Sequence, residues 1–280
     1  MTRKAEGALR IVTINTWKGD GNYHRRMQMM ASELSKLEPD ILCLQESVQS
    51  VDYQIDTASD LADVLDMDMI YAPARLKNRT VDKAGFLCHS GLAILSVNGL
   101  DRHWLTTIPT SAEDPDRLAL SAQLYHGNQL ITITNFHLTH LLGMDTLRYE
   151  QLATIIEKNA DIAEDSCWFC CGDCNFAIDH AALARLSRRT GLQISDCYLA
   201  GGGQLPGGTL VQTNMPPNES RIDHIFCLLS EEEQGPELLN GRIILNTPDL
   251  DGCYPSDHFG VCVDILMGRK WKPYIPTRRL

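Results

Sequence analysis

The stretch that decides the fold is residues 41–47, ILCLQES. Its four consecutive apolar residues are typical of a strand that is buried on both faces, and Gln45 and Glu46 follow as polar groups. A shorter apolar run at residues 9–14 comes earlier and ends at Asn15. Between the two runs, apolar residues recur at helical spacing at Tyr23, Met27, Met30, Ala31 and Leu34. The sequence therefore predicts a strand, a helix and a second strand, with polar side chains after each strand.

This alternation of apolar runs and helix-like segments continues along the rest of the chain and indicates an α/β fold. Further helices are predicted over residues 146–159 and 179–189. The runs 118–125 and 130–136 are joined by only four residues, so they are predicted to form an antiparallel hairpin and the sheets to be mixed. The other predicted strands cover residues 69–72, 92–95, 168–171, 222–228 and 261–266.

The composition is that of an ordinary globular chain, with 280 residues, 44% hydrophobic residues and a formal net charge of −11. The acidic excess argues against a non-specific nucleic-acid binder, because that affinity comes mainly from cationic contacts to phosphates. No linker or repeat divides the chain, so we predict one domain over residues 1–280 with a short basic tail at 268–280. No apolar run is long enough to span a membrane and no export signal is present, so we expect a cytoplasmic protein.

The chain contains ten cysteines, which we expect to be reduced thiols because no export signal is present. Four of them, Cys167, Cys170, Cys171 and Cys174, superficially resemble a zinc site in their spacing. A strand is predicted over residues 168–171, however, and successive side chains of a strand point to opposite faces. We therefore interpret these four residues as small buried thiols.

Polar side chains lie at the junctions between the predicted strands and the loops. They are Asn15, Glu46, His137, Asp173, Asn175, Asp223, Asp257 and His258. In a mixed sheet the end of one strand and the start of its antiparallel neighbour lie at the same edge, which allows these groups to converge. Four carboxylates with amides and imidazoles suit a hard divalent cation, for which Mg²⁺ fits best.

Each of these residues also has an ordinary structural interpretation. Glu46 alone is typical of a solvated loop residue, His137 of a satisfied core histidine, and Asn135 of a loop cap. What favours a functional site is an ordered set of motifs: INTW at 14–17, LQES at 44–47, SGLAILS at 90–96, NFHL at 135–138, GDCN at 172–175, RIDHIF at 221–226 and YPSDHFGV at 254–261. This set covers nearly the whole chain and resembles the endonuclease/exonuclease/phosphatase superfamily, the group of deoxyribonuclease I.

The resemblance implies a four-layer α/β sandwich, in which two packed mixed sheets are flanked by helices. It also implies an enzyme, a metal-dependent phosphoester hydrolase that uses Mg²⁺, with Mn²⁺ as the alternative. Glu46 would be the principal metal ligand, with Asp257 close to the metal. Asn15 would contact the metal or the substrate phosphate, and Asn135 would also bind the substrate.

The resemblance further implies roles for five residues in an in-line attack of water on phosphorus. Asp173 would orient or deprotonate the attacking water, and Asn175 would hold that water or a phosphoryl oxygen. His258 would contact the scissile phosphate and shuttle a proton, oriented by Asp223. His137 would bind the phosphate from the other side.

The substrate stays open at this point. We favour a phosphodiesterase; the alternatives are a phosphomonoesterase acting on a small soluble phosphate and a nuclease. A non-catalytic binding module of the same fold is the least favoured alternative. A small molecule, a lipid and a nucleic acid are all candidate substrates, and no obligate protein partner is implied. The glycine- and proline-rich residues 201–220 are predicted to form an irregular, substrate-facing loop.

Overall fold

The computed structural model describes residues 4–211, 220–230 and 235–268. Most of the basic tail at 268–280 and eight residues of the 201–220 loop, on which predictions were made, lie outside the described residues. The helices in the described part are α1 (Tyr23–Leu37), α2 (Thr57–Leu65), α3 (Asp145–Ala163), α4 (His180–Thr190) and the single turn α5 (Cys197–Ala200). The strands are β1 (Leu9–Asn15), β2 (Ile41–Ser50), β3 (Asp68–Val81), β4 (Ala84–Ser96), β5 (Arg102–Thr107), β6 (Leu118–His126), β7 (Gln129–His137), β8 (Cys167–Asp173), β9 (Gln193–Asp196), β10 (Asp223–Leu229), β11 (Glu237–Ile244) and β12 (Gly260–Leu266).

The strands form two six-stranded sheets. The first sheet has the strand order β11-β12-β1-β2-β4-β3, and the second has the order β5-β6-β7-β8-β10-β9. Each sheet contains one parallel pair, β1 with β2 and β7 with β8, among antiparallel neighbours. The predicted hairpin is confirmed, because β6 and β7 pair in antiparallel register from Ala119 opposite Phe136 to His126 opposite Gln129.

The two sheets pack face to face, and helices cover their outer faces. Between the sheets, apolar side chains such as Ile11 and Phe169 are fully buried. On the outer side of the first sheet, α1 and α2 contribute buried residues such as Met30. On the outer side of the second sheet, α3 contributes Leu152. These four layers confirm the α/β sandwich that the resemblance implied.

The helix ends follow local signals in the sequence. After α1, Glu38 takes a left-handed φ of 53° and its backbone N–H bonds to the carbonyl of Leu34. The side chain of Asp179 caps α4 by accepting a hydrogen bond from the backbone N–H of Ala182, and α4 ends at Gly191 with a φ of 71°. None of the helices within the described ranges is both long enough and apolar enough to cross a membrane.

Several elements differ from the prediction. β3 and β4 form a long hairpin from Asp68 to Ser96, whereas the sequence predicts only two short strands there. β3 is an edge strand, and its outer half is polar and largely exposed, so no apolar run marks it. The sequence also gave no prediction of α2, β5, β9 or β11. β5, β9 and β11 are short or partly exposed, so their sequences lack the continuous apolar run that marks a buried strand.

Candidate active site

The ends of strands from both sheets meet at one edge of the sandwich. In the first sheet, parallel pairing of β1 with β2 brings Asn15 beside the segment that carries Glu46. In the second sheet, Asp173 at the end of β8 lies between His137 of β7 and Asp223 of β10. The mixed sheets therefore bring polar groups together from distant parts of the chain.

These strand ends surround a cavity of about 390 Å³. Seven residues that the sequence predicts for the site line it: Asn15, Glu46, His137, Asp173, Asn175, Asp257 and His258. Asp223 is fully buried and contacts His258 from behind. Asn135, the remaining predicted residue, lies elsewhere.

Asp173 is the centre of the polar group in this cavity. Its Oδ2 accepts a hydrogen bond from Asn15 Nδ2 at 3.0 Å, and its Oδ1 accepts one from the backbone N–H of Asn175 at 2.7 Å. The Nε2 atoms of His137 and His258 lie 3.4 Å and 3.8 Å from the same Oδ2. Burial, followed by repulsion from a neighbouring carboxylate, raises the pKa of Asp173 to about 7. A carboxylate with a pKa near neutrality is suited to accept a proton from water.

His258 is held in one orientation by two contacts. Its Nδ1 lies 2.9 Å from Asp223 Oδ2, and its backbone N–H donates to Ser256 Oγ at 3.2 Å. Burial alone lowers the pKa of His258, but attraction to Asp223 and Asp173 outweighs burial and raises this pKa to about 10. The raised pKa favours the imidazolium form of the ring, which can neutralise a phosphate and give a proton to a leaving oxygen.

His137 is the neutral histidine of the site, because burial and then the charge of Arg117 lower its pKa. Arg117 also positions this segment by donating from Nη1 to the carbonyl of His137 at 3.2 Å. Its Nε donates to Asp114 Oδ2 at 2.7 Å, and its Nη2 lies 2.8 Å from His140 Nδ1. Arg117 is not among the residues predicted for the site, although the charged run DPDR at 114–117, just before β6, is a signal for it in the sequence.

Glu46 occupies a β-bulge. The pairing of β2 with β4 shifts by one residue between Leu44 and Ser47, and Glu46 has a φ of 54°. The bulge takes Glu46 out of the regular alternation of the strand, and the residue lines the cavity. Its Oε1 lies 2.6 Å from Lys18 Nζ. Burial, with a smaller contribution from Glu46, raises the pKa of the neighbouring Asp257.

The donor groups at this end of the cavity fit a hard divalent cation. Glu46 and Asp257 present carboxylate oxygens, the ligand type that Mg²⁺ and Mn²⁺ take. The ammonium group of Lys18 contacts Glu46, which shows that this end of the cavity attracts positive charge. Asn15 is less available, because its Oδ1 already accepts a hydrogen bond from the backbone N–H of Trp17 at 3.0 Å.

A second group of possible metal ligands lies deeper. Within residues 4–211, 220–230 and 235–268, Asp173, Asp223 and His258 are the one set of three with ligand atoms within 4.8 Å of one another. Because the His258 imidazolium lies between the two carboxylates, this group already contains its own positive charge. Glu46 likewise has the ammonium group of Lys18 beside it, so both groups are candidates to hold a metal.

Asn135 lies between the two sheets and not at the substrate, where its place in the NFHL motif predicts it. Its side chain is fully buried. Its Nδ2 donates to the carbonyls of Leu44 and Ala93, both at 2.8 Å, and its Oδ1 accepts a hydrogen bond from Gln45 Nε2 at 2.7 Å. The side chain of Asn135 thus joins β7 to β2 and β4 and does not face the cavity.

A buried ionic group supports the start of β10 behind the site. Arg221 Nη2 donates to Asp196 Oδ2 at 2.5 Å, and Arg221 Nη1 lies 2.7 Å from His224 Nδ1. Burial opposes the ionised form of Asp196, but contacts with His224 and Arg221 lower its pKa to about 2. Arg221 and His224, which stand on either side of Asp223 in the RIDHIF motif, therefore belong to one buried ionic group with Asp196.

All ten cysteines are free thiols. Cys167 and Cys171 pack between the sheets, whereas Cys170 and Cys174 pack on the helix side of the second sheet. Residues on opposite faces of a sheet cannot ligate one metal ion. The interpretation of the four as buried thiols is confirmed.

Comparison with known proteins gives a match to the Endonuclease/Exonuclease/phosphatase family over residues 12–258. No match was found among curated protein sequences. Among solved structures, the chain is similar to D. rerio TDP2 humanized by 14 mutations, with a TM-score of 0.70 and 20% identity over 93% of this chain and 99% of that chain. For D. rerio TDP2 complexed with single strand DNA product, the TM-score is 0.69 and the identity 19%, over 92% of this chain and 98% of that chain.

A third similar structure is an endonuclease/exonuclease/phosphatase family protein from Bacteroides thetaiotaomicron. Its TM-score is 0.69 and its identity 18%, over 95% of this chain and 100% of that chain. These structures share the fold, and the family match contains every residue that lines the cavity. The chain therefore belongs to the endonuclease/exonuclease/phosphatase family and is a metal-dependent phosphoester hydrolase.

Proposed function

We propose that the protein is a Mg²⁺-dependent phosphodiesterase with water as the nucleophile. The observation that carries this proposal is the pair formed by Asp173 and His258, whose Oδ2 and Nε2 lie 3.8 Å apart at one cavity. The carboxylate has a pKa of about 7 and the imidazole a pKa of about 10. A proton acceptor for water and a proton donor for a leaving oxygen are what ester hydrolysis at phosphorus requires.

Each side chain has a defined task in this proposal. Asp173 accepts the proton of the attacking water. Asn175 holds that water through its side-chain oxygen, since its Nδ2 is already bonded to the carbonyl of Leu138 at 2.9 Å. His258 donates its Nε2 proton to the leaving alkoxide while Asp223 holds Nδ1. Neutral His137 contacts a phosphoryl oxygen.

Glu46 and Asp257 are the residues that would hold the metal ion, with Asn15 beside them. Bound Mg²⁺ would neutralise charge on the phosphoryl oxygens and make phosphorus more electrophilic. Mn²⁺, which also takes oxygen ligands, is the alternative metal.

Carboxylates and cations line the cavity in equal number. The carboxylates belong to Glu46, Asp114, Asp116, Asp173 and Asp257, and the cations to Lys18, Arg75, Lys77, Arg79 and Arg117. The choice of a diester therefore rests on a similar structure and not on the charge of the cavity. The single strand DNA product bound to D. rerio TDP2 supports nucleic-acid phosphodiesters as one substrate class.

We also infer a cytoplasmic location, because ten free thiols are typical of a reducing compartment.

The test compares hydrolysis of bis(p-nitrophenyl) phosphate and p-nitrophenyl phosphate, each with Mg²⁺, with Mn²⁺ and with EDTA. We expect metal-dependent hydrolysis of the diester that EDTA abolishes. Asp173→Asn and His258→Ala should each lower kcat by about 10²- to 10⁴-fold. Asp161→Asn is the matched control, because it removes the same charge at an exposed position on α3.

Two outcomes contradict parts of this proposal. Faster hydrolysis of the monoester identifies a phosphomonoesterase instead. Full activity of both Asp173→Asn and His258→Ala shows that the catalytic groups lie elsewhere.

A further inference from the structure

A row of cations lies on the edge strand β3 beside the catalytic cavity. Arg75, Lys77 and Arg79 occupy every second position, so their side chains project from one face of the strand. All three line the cavity. From the rise of a β-strand the row spans about 13 Å. In a chain with a net charge of −11, this wall of the cavity is locally positive.

The three cations differ in how far they are neutralised. Arg75 Nε lies 3.5 Å from Asp116 Oδ2, and its Nη1 lies 4.0 Å from Asp114 Oδ1. Lys77 and Arg79 have no carboxylate within ion-pair distance among the residues that the structure describes. The Nε of Arg79 is buried and has no hydrogen-bond partner in that same part of the chain. Lys77 and Arg79 therefore retain positive charge at the cavity wall that an anionic ligand can neutralise.

The row leads away from the catalytic groups along the hairpin. Arg75 pairs with Ser90 of β4, and Ser90 pairs with Val48, two residues beyond Glu46 in β2. Lys77 and Arg79 follow at successive steps towards the hairpin turn. When one phosphate is held at Glu46 and Asp173, Lys77 and Arg79 therefore stay available to bind a different anionic group.

We propose that Lys77 and Arg79, together with Arg75, form a subsite for a second phosphate of the substrate, attached next to the scissile phosphodiester. This inference rests on the proposed function and narrows its substrate class. Guanidinium and ammonium groups are the usual protein ligands of phosphate. The next phosphate of a nucleic-acid strand and a second phosphate on a small molecule share this chemistry.

The experiment uses a matched pair of substrates: thymidine 5′-(4-nitrophenyl phosphate) and the same compound with a 3′-phosphate. Both contain the same scissile diester and the same leaving group, so the ratio of their kcat/KM values isolates the second phosphate. With the metal in excess, we expect the 3′-phosphate to raise kcat/KM by about tenfold in the natural sequence. In Lys77→Gln and in Arg79→Gln this ratio should fall to about threefold or less.

Lys83→Gln is the matched control. Lys83 is exposed in the turn between β3 and β4, and its substitution changes the net charge by the same amount as Lys77→Gln. The control should keep the ratio of the natural sequence. A ratio near one in the natural sequence, or an equal loss in Lys83→Gln, overturns the subsite.

Failure of the proposed function is distinguishable from failure of the subsite. If neither substrate is hydrolysed with any metal, the phosphodiesterase proposal fails, and calorimetry still tests the subsite without turnover. Thymidine 3′,5′-bisphosphate should then bind about tenfold more tightly than thymidine 5′-monophosphate, and Arg79→Gln should remove the difference. Equal binding of the two nucleotides rejects the subsite.

A third substrate distinguishes the two sources of the second phosphate. It is a tetrathymidylate with the same 4-nitrophenyl leaving group. A larger gain than that from the single 3′-phosphate assigns the row to a nucleic-acid strand. An equal gain assigns it to a small molecule with two phosphates.

Discussion

Replacing Asn135 by alanine removes the side chain that joins β7 to β2 and β4. The substitution deletes three buried hydrogen bonds of 2.7–2.8 Å, to Gln45 and to the carbonyls of Leu44 and Ala93. At about 1 kcal/mol for each net hydrogen bond, the free energy of unfolding should fall by about 3 kcal/mol. That is a large fraction of the roughly 5–15 kcal/mol by which domains are stable.

Urea unfolding followed by tryptophan fluorescence measures this loss. For a chain of this size the denaturant slope is about 3 kcal/mol per molar urea, so the midpoint should fall by about 1 M. Asn175→Ala is the control, because this cavity residue gives up one part-buried side-chain bond, to the carbonyl of Leu138. It should lose about 2 kcal/mol, because alanine also disfavours the left-handed φ of 55° at this position, and it should lower activity. A small stability loss in Asn135→Ala together with a raised KM would refute the structural role and return Asn135 to the substrate.

Three further predictions concern the residues around the site. Asp223→Ala removes a carboxylate that raises the pKa of His258. We expect kcat to fall by about 10²- to 10³-fold and the alkaline limb of the pH–rate profile to move to lower pH. An alkaline limb at unchanged pH contradicts this prediction. The pKa of Asp196 is about 2 when folded, below the value of about 3.9 for an unfolded chain, so its stabilisation of about 2–3 kcal/mol is present above about pH 4 and is lost as the pH falls through 2. The destabilisation of Asp196→Asn in urea should therefore shrink on acidification, and a pH-independent difference argues against the ion group. In Gly172→Ala the new Cβ would lie 2.0 Å from the carbonyl oxygen of Phe136, so the melting temperature should fall by about 10 °C or more in a thermal melt, and an unchanged value would show that β7 and β8 can separate.

The sequence carries most of what positions the catalytic groups. Glu46, Asp173 and His258 each stand next to an apolar run that becomes a buried strand, and that local pattern survives in the structure. Their convergence follows from mixed pairing, which the short connection between β6 and β7 already indicates. Local pattern and sheet pairing thus agree for this part of the molecule.

Other features depend on contacts that a single sequence does not contain. Asn135 stands two residues before His137 near the end of the same strand, and nothing local distinguishes an amide that faces a cavity from one that faces the opposite sheet. The outer halves of β3 and β4 pair with each other at the edge of a sheet, and polar residues there lack the apolar signal of a buried strand. Lys18 and Arg117 belong to loops, so only their partners Glu46 and Asp114 reveal what they do.

The bulge at Glu46 makes the number of residues in β2 as important as their identity. Inward and outward positions alternate along a strand. The extra residue of the bulge shifts this alternation by one position, and Val48, which follows the bulge, is buried. Deleting one residue between Leu44 and Ser47 would remove the bulge and restore regular pairing of β2 with β4, so the downstream residues would keep their faces while the cavity would lose the position that Glu46 now occupies. A one-residue deletion at this point therefore acts on the cavity, while the apolar layer beneath α1 and α2 keeps its pairing.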